Sequence, residues 1–429
     1  MAHWEGAYWH SDVASGVPRR DRRSGPYQYY VPDRLTGSPL TTGPDLDELL
    51  SRAERAVVSL NSGPGANDLA HLSRFLIRSE AIASSRIEGI APSARQVALA
   101  ELAQEEDLEG FSAQAELVAR NMTLVRDATT RLAAADRISV EDVVAVHDAL
   151  LADDRHHLGL RTLQNWIGGS YQHPIDADFV PPAPDLVGDL MTDLVQYLNG
   201  AAHAPVVQAG LVHAQFETIH PFTDGNGRVG RALIHTTLTR RGLTSASVLP
   251  VSLVLATFSD EYVRGLSGYR YVGDAGSTAG ITGRQIWLVE FAGAVLKATE
   301  QAETLREDVT AVREDWEHRL STFRSSQGQR RLRADSATAR VLEDLPGTPV
   351  LTAATVERIH GVSAMAAGRA LGELEEAGIL KSGSAGRRRR AYWAPDVLDL
   401  ITATERRLAS TRFDTRASSP NRQVPARPR

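Results

Sequence analysis

The stretch from His220 to Arg231 combines residue types that can bind phosphate and transfer a proton. It reads His-Pro-Phe-Thr-Asp-Gly-Asn-Gly-Arg-Val-Gly-Arg. Gly225, Asn226 and Gly227 tolerate unusual backbone angles. They come just before a predicted helix, whose first N–H groups lack intrahelical acceptors and therefore attract anions. A turn of this kind at a helix start is typical of a phosphate site.

The charged side chains of the same stretch suit a polyphosphate and a metal ion. Arg228 and Arg231 are three residues apart and share one helix face. Two guanidinium groups fit several phosphates better than a single carboxylate. Asp224 adds an oxygen ligand, since Mg²⁺ usually takes one or two carboxylates together with substrate phosphates. His220 lies across the loop, where an imidazole can accept the proton of an incoming hydroxyl.

The alternative interpretation of this stretch is a helix cap with solvated arginines. Gly-Asn-Gly alone would favour that interpretation. The presence of His220, Asp224, Gly-Asn-Gly and two arginines together argues against it. Phe222, the apolar residue of the loop, is predicted to anchor it in the core.

At these residues the chain resembles the Fic family, whose motif His-x-Phe-x-Asp/Glu-Gly-Asn-Gly-Arg-x-x-Arg is matched at every specified position. The resemblance implies a protein adenylyltransferase, which transfers AMP from ATP to a Ser, Thr or Tyr hydroxyl of a target protein. It implies His220 as general base and Asp224 as the ligand of Mg²⁺. The Gly225–Gly227 loop and Arg228 would cradle the phosphates, and Arg231 would hold the γ-phosphate. The hydroxyl then attacks the α-phosphorus and pyrophosphate leaves.

A second motif, Ser84-Ser-Arg-Ile-Glu88-Gly89, lies at the end of a predicted helix. Ser84 and Glu88 share a helix face, and a carboxylate at a helix C-terminus lies at the unfavourable end of the dipole. Taken alone, Glu88 is an ordinary exposed acid. Fic proteins with an inhibitory helix carry a similar Ser/Thr-x-x-x-Glu-Gly/Asn motif. The resemblance implies that Glu88 pairs with Arg231 and inhibits the enzyme, so Glu88→Gly is predicted to transfer AMP much faster.

Residues 161–182 predict a two-stranded hairpin, because two short β-rich runs flank a Gly/Ser break and a double proline follows. The hairpin resembles the family's flap, which would hold the target segment by strand addition. A plain structural hairpin is the alternative. The flap residues that would contact the target are Trp166, Ile167, Gly168 and Gly169.

The residues expected to bind the adenine base depart from the family pattern. Tyr262 matches one aromatic residue of the nucleotide pocket, but the segment after Leu249-Pro250 is shorter than usual and its polar residue is not placed. A nucleotide donor other than ATP is therefore an alternative. Hydrolytic removal of AMP, which the equivalent of Glu88 supports in some relatives, is a second alternative activity.

The predicted fold class is mainly α, a Fic-type helical core with a β-hairpin flap and a C-terminal winged helix-turn-helix. Changes of pattern along the chain predict the boundaries. The segments are an irregular N-terminal arm (1–42), a helical region with the inhibitory helix (43–110), the Fic core (111–300), a helical linker (301–335), the winged helix (336–405) and a disordered tail (406–429).

The C-terminal module ends in a basic tip, Arg387 to Arg390. Four arginines can contact DNA phosphates, while a solvated wing or a protein-docking module are equal alternatives. The second function class is therefore a DNA-binding regulator with a nucleotide-sensing core. Candidate partners are ATP, a target protein or the chain itself, DNA through the winged helix, and a second copy of the chain.

Net charge and composition exclude several further classes of function. The 429 residues carry a net charge of −6, so no global attraction to nucleic acid or membrane is expected. The absence of cysteine excludes disulfides and thiolate metal sites, and the histidine spacing is not a zinc signature. The N-terminus does not read as a signal peptide and no apolar run is long enough to span a membrane. The expectation is a cytoplasmic protein without a membrane partner.

Overall fold

The computed structural model describes residues 1–11, 18–62, 72–152, 155–244, 248–385 and 389–411. Helices dominate these residues, which confirms the prediction of a mainly α fold. The helices are α1 Pro44–Ser62, α2 Ser73–Ile87, α3 Ala94–Ala103, α4 Ala113–Asp127, α5 Val140–Leu150, α6 Pro184–Asn199, α7 Pro205–Ile219, α8 Asn226–Arg240, α9 Val251–Thr257, α10 Ser259–Tyr269, α11 Thr278–Ser326, α12 Ala337–Asp344, α13 Ala353–His360, α14 Ala364–Glu376 and α15 Pro395–Thr411. The strands are β1 His3–Trp9, β2 Gly25–Val31, β3 Val350–Leu351, β4 Lys381–Ser384 and β5 Arg390–Trp393.

The chain divides into two compact units. The first unit comprises Met1–Ser59, Thr123–Ala246 and Ser259–Leu296. The second unit comprises Leu60–Met122, Ser247–Phe258 and Lys297–Arg429. Within the described ranges, none of the helices combines the length and apolar character that a membrane span needs.

Helices α7 and α8 form the centre of the first unit. They pack against each other, and α6 and α10 pack against α7. Every residue of α7 from Val206 to Ile219 is buried, and so is every residue of α8 from Asn226 to Leu238. Helix α8 therefore buries Arg228 and Arg231. Because arginine is almost never fully buried without a partner, this burial marks α8 as the element to inspect for function.

The N-terminal arm is not irregular, contrary to the sequence prediction. Strands β1 and β2 pair antiparallel, from His3 opposite Val31 to Trp9 opposite Gly25. The Tyr30 hydroxyl donates to the Tyr271 carbonyl at 2.6 Å and anchors the ribbon in a core cluster. The prediction failed because β1 is almost entirely exposed, and a strand without a buried face has no apolar alternation to detect.

The predicted flap hairpin is reduced to a single bridge. Ile167 pairs with Phe179, donating to its carbonyl at 2.8 Å, and no ladder extends from this pair among the described residues. Gly168 and Gly169 follow at once with φ values of 75° and 71°. This turn directs the chain away from the bridge. A Cβ on Gly169 would lie 2.5 Å from the Asp176 carbonyl oxygen, so glycine is required there.

In the second unit, α9 packs against α2 and α15, and α3 packs against α15 and β3. The C-terminal part contains α13 and α14, joined by Gly361 to Ser363, and an antiparallel sheet of order β3-β5-β4. Helix α15 extends to Thr411, so the first residues of the predicted disordered tail are helical. The rest of that tail, from 412 to 429, lies outside the described residues.

Candidate functional site

The site is built on the turn between α7 and α8. Helix α7 ends at His220, whose backbone is left-handed with φ 49° and ψ 60°. His220 is the non-glycine residue with positive φ in the described part of the chain. Gly225, at φ 78°, is the N-cap residue directly before α8. Left-handed backbone at a residue other than glycine is uncommon and tends to persist at functional sites.

Asn226 closes this turn with its side chain. The Phe222 N–H donates to the Asn226 Oδ1 at 2.8 Å, and the Asn226 Nδ2 donates back to the Phe222 carbonyl at 2.8 Å. The side-chain amide is therefore used inside the loop. Any ligand contact from this residue has to come from its main-chain N–H, which lies at the start of α8.

His147 supports the turn from α5 and was missed by the sequence analysis. Its buried ring stacks on Phe222 with centroids 3.7 Å apart and an angle of 6°. Its Nε2 lies 2.9 Å from the Asp224 carbonyl oxygen and its Nδ1 lies 3.1 Å from Asp148 Oδ1. Burial lowers the pKa of His147 from its ordinary value. The available signal was a histidine on the same helix face as buried Val143, Val146 and Leu150.

Arg228 is the most unusual charge of the turn. Its side chain is 1% exposed, and its Nη2 lies 3.2 Å from the half-exposed carboxylate of Asp224. Its Nε and Nη1 are buried and have no hydrogen-bond partner among the described residues. Since buried polar groups are almost always paired, these two nitrogens indicate a place for an anion. Arg231, one turn later, is 2% exposed. The interpretation as solvated arginines is therefore wrong.

Arg161 fastens the flap to the end of α7. Its guanidinium donates to the carbonyl of His220 at 2.9 Å, to Leu163 at 3.3 Å and to Ile219 at 3.4 Å. It also donates to the Pro182 carbonyl at the far end of the flap. Burial lowers the pKa of Arg161 to about 10, so the group stays charged at neutral pH. A cation at a helix C-terminus satisfies carbonyls that have no intrahelical donor.

The four predicted docking residues lie at the tip of the flap. Ile167, Gly168 and Gly169 are exposed. Trp166 is half-buried, donates its Nε1–H to the Ser170 carbonyl at 2.7 Å and packs edge-on against Trp9. The N-terminal ribbon therefore supports the flap, a contact that the sequence analysis did not foresee. The docking role of these residues stays a prediction.

Tyr262 lies inside the core of the first unit. It is 6% exposed, and its hydroxyl is 2.9 Å from the Nε2 of His213 on α7. Its predicted contact with adenine stays a prediction. His213 itself is fully buried, and burial lowers its pKa to about 3.

The burial of His213 predicts a loss of stability in acid. Its pKa in the unfolded chain is ordinary, about 6.5, so below that pH the unfolded state gains a proton that the folded state does not. The free energy of unfolding should fall by about 1.4 kcal/mol per pH unit from pH 6.5 towards pH 3, and this contribution is complete above pH 6.5. Urea unfolding at pH 7 and pH 5 measures it. The His213→Gln variant should lose roughly 2 kcal/mol less between these pH values, and equal losses would contradict the assignment.

The second motif lies in the second unit, at the end of α2. Ser84 is buried, Glu88 is exposed and caps the helix, and Gly89 has a φ of 78°. The positive φ explains the glycine at this position. The pairing of Glu88 with Arg231 stays a prediction.

Part of this chain is similar to known proteins. The Fic/DOC family profile matches residues 137–238, which include the whole turn. The protein adenylyltransferase fic-1 of Caenorhabditis elegans is 30% identical over 140 residues, which are 32% of this chain and 26% of that protein. The protein adenylyltransferase Fic of Aedes aegypti is 33% identical over 112 residues, 25% of this chain and 21% of that protein. The chain thus spans about a quarter of the length of these relatives.

A solved structure shares the fold over a longer range. The Fic family protein from Desulfovibrio desulfuricans G20 aligns with a TM-score of 0.50 at 21% identity. The alignment covers 83% of this chain and 98% of that one. Residues 137–238 of this chain thus match the Fic/DOC family, and the solved structure shares the fold.

Proposed function

We propose that this protein is a protein adenylyltransferase, which transfers AMP from ATP to a Ser, Thr or Tyr hydroxyl of a target protein. The observation that carries the proposal is the buried guanidinium of Arg228, whose Nε and Nη1 have no partner among the described residues. A buried cation is costly unless a counter-ion compensates it. A triphosphate supplies several negative oxygens at the place where these nitrogens need them.

The turn adds main-chain donors to this cation. The first N–H groups of α8 have no intrahelical acceptor, and Gly225 brings the backbone round in a left-handed conformation that a ligand can approach closely. Arg231 follows one turn later and would hold the γ-phosphate. The proposed binding of ATP thus combines amide hydrogens and two guanidinium groups, which is the arrangement that phosphoryl transfer generally uses.

The donor set around Asp224 fits Mg²⁺ bound together with the nucleotide. Asp224 is 51% exposed and is a single carboxylate, and no cluster of three His, Asp or Glu side chains was found in the described ranges. One carboxylate completed by phosphate oxygens and water is the usual Mg²⁺ environment. When bound, Mg²⁺ would neutralise charge on the phosphates. Arg228 holds the Asp224 carboxylate beside them, with Nη2 at 3.2 Å from Oδ2.

His220 would supply the base. Its imidazole accepts the proton of the target hydroxyl while the oxygen forms a bond to the α-phosphorus, and the bond from that phosphorus to pyrophosphate breaks. Arg161 fixes the backbone of this residue through its carbonyl, and the flap beside it would hold the target segment. Holding both reactants in place is the main source of acceleration in such a reaction.

Position-specific labels on ATP test the proposal directly. The full chain is incubated with Mg²⁺ and ATP carrying ³²P on either the α- or the γ-phosphate, with and without a protein extract. AMP transfer labels protein from the α-labelled ATP alone, and intact-mass spectrometry of a modified chain shows the gain of one adenylyl group. Label arriving from the γ-position would indicate phosphate transfer and overturn the proposal, as would the absence of label in both wild type and Glu88→Gly.

Removing Glu88 should accelerate the transfer. If Glu88 withholds Arg231 from the γ-phosphate, Glu88→Gly frees that arginine. An exposed ion pair contributes up to about 1 kcal/mol and a buried one costs about 3–5 kcal/mol to break. Because Glu88 is exposed and Arg231 is buried, the pair should fall between these two cases. The rate of AMP transfer is therefore expected to rise at least about tenfold. Initial rates of α-label incorporation measure it. Glu88→Asp keeps the charge and should stay slower than Glu88→Gln, whereas equal rates for all variants would remove the inhibitory role.

DNA binding and a homodimer stay predictions, and no observation raises them to a second proposed function. Arg389 lies 4.0 Å from Glu106 and Arg390 pairs with Glu375 at 2.9 Å. Two of the four tip arginines thus already have acidic partners within the second unit. Arg387, like Arg388, lies outside the described residues.

A further inference from the structure

A carboxylate faces the imidazole of His220 from the last turn of α7. Glu217 is three residues earlier, and its Oε2 lies 3.9 Å from the His220 Nδ1. The side chains are 9% and 19% exposed, so little water screens the two groups. A distance of 3.9 Å suits an ion pair and is longer than a hydrogen bond. Such contacts in ligand-free enzymes often shorten when substrate binds.

The position of Glu217 is set by the neighbouring helices. Gly230 of α8 lies so close that a Cβ there would be 2.6 Å from the Glu217 Oε1. The half-buried Arg270, which directly follows α10, interacts electrostatically with the same carboxylate. Arg270 is itself held over the Phe179 ring, with its Cζ 3.4 Å from the centroid. The carboxylate therefore interacts with both the Arg270 cation and the imidazole.

We propose that Glu217 is a positioning residue of the transfer reaction: its carboxylate accepts the Nδ1–H of His220, which leaves the Nε2 lone pair for the proton of the incoming hydroxyl. This inference rests on the proposed function. As Nε2 takes the proton, the ring becomes an imidazolium and Glu217 stabilises its charge. The carboxylate stays ionised, since the proton remains on the imidazole, as in other carboxylate–histidine pairs.

Other groups around His220 do not replace this carboxylate. The Arg161 Nε and the Asn165 Nδ2 both donate to the backbone carbonyl of His220, at 2.9 Å and 3.3 Å. They fix the main chain, and the charge on Arg161 opposes protonation of the imidazole. Arg270 interacts electrostatically with Glu217. Of these charged groups, Glu217 is the one whose sign favours the imidazolium.

The Glu217→Gln variant tests the inference through its pH profile. The substitution keeps shape and removes charge, so kcat should fall by about tenfold or more while KM for ATP stays within about twofold. In the pH profile of kcat, the acid limb should shift to lower pH by about one unit, because a facing carboxylate raises the pKa of an imidazole and the variant lacks it. Glu217→Asp keeps the charge and should retain the wild-type limb. Asp189→Asn, which removes an exposed acid of α6, should change neither quantity.

A spectroscopic readout separates this inference from the proposed function. Two-bond ¹⁵N–¹H NMR spectra, assigned by loss of the His220 signal in His220→Asn, report the tautomer and the titration of this ring. Wild type should show the Nδ1–H tautomer, and Glu217→Gln should titrate about one pH unit lower. An unchanged tautomer and midpoint in Glu217→Gln would overturn the positioning role even if AMP transfer is observed. The expected shift without any transfer would instead support the pairing of Glu217 with the His220 ring and refute the activity.

Discussion

The His220→Ala variant is expected to transfer AMP roughly 10²–10⁴ times more slowly than wild type. General-base catalysis contributes a factor of this size, and alanine has no group that can take the hydroxyl proton. The residual rate comes from positioning and from charge stabilisation by the turn. Binding of ATP should change little, because the proposed phosphate contacts come from α8 and its arginines. Initial rates of incorporation from α-labelled ATP measure the first effect, and a nucleotide-binding titration measures the second.

The backbone of His220 calls for a matched control. Its φ of 49° is left-handed, a conformation that asparagine tolerates better than alanine. His220→Asn therefore removes the imidazole with less backbone strain. If loss of the base is the cause, both variants should be equally slow. If His220→Asn keeps the wild-type rate, the imidazole is not the base and only the shape of the turn matters.

The Arg228→Met variant is expected to lose activity by about 10²–10³-fold, comparable with the loss of a donor aimed at developing charge. The same substitution should leave the stability of the fold unchanged or raise it. Arg228 is buried with two nitrogens that lack partners among the described residues, and replacing such a buried ion by an apolar side chain of similar size is often neutral or stabilising. Thermal unfolding without nucleotide should therefore show an equal or higher Tm.

Arg240 provides a contrast on the same helix. Its guanidinium donates to the carbonyls of Ala135 and Asp136 and so holds the segment between α4 and α5. Arg240→Met should lower Tm by several degrees and leave the rate per folded molecule nearly unchanged. The two arginines thus separate a binding role from a structural one. A Tm of Arg228→Met that falls as far as that of Arg240→Met, with unchanged activity, would show that Arg228 serves the fold.

Much of the site could be predicted because its residues are contiguous. His220, Asp224, Gly225 and Arg228 fall within one turn and its following helix, so their spacing already indicates the geometry. His147 and Glu217 were missed for different reasons. His147 comes from α5 and reaches the loop only through the fold. Glu217 lies on a helix that is buried all round, where no amphipathic pattern shows which way a side chain points.

The fold was predictable in its helices and less so in its strands. Helices of the first unit have buried faces and clear starts, such as the prolines that begin α6 and α7. The ribbon of β1 and β2 was not predicted, because the exposed strand β1 has no buried face. The flap was predicted as a ladder but has one bridge, since the left-handed turn at Gly168 and Gly169 could not be distinguished from an ordinary hairpin turn by residue type alone.

The reciprocal pair between Asn226 and Phe222 has a consequence for donor choice. With that amide committed to closing the turn, the hydrogen-bond donors that the turn offers to the phosphates are peptide N–H groups and guanidinium groups. Neither can tell adenine from guanine, cytosine or uracil. Under the proposed function, discrimination among nucleoside triphosphates must therefore come from side chains beyond the turn, and that discrimination can change in evolution while the chemistry at the phosphates stays intact.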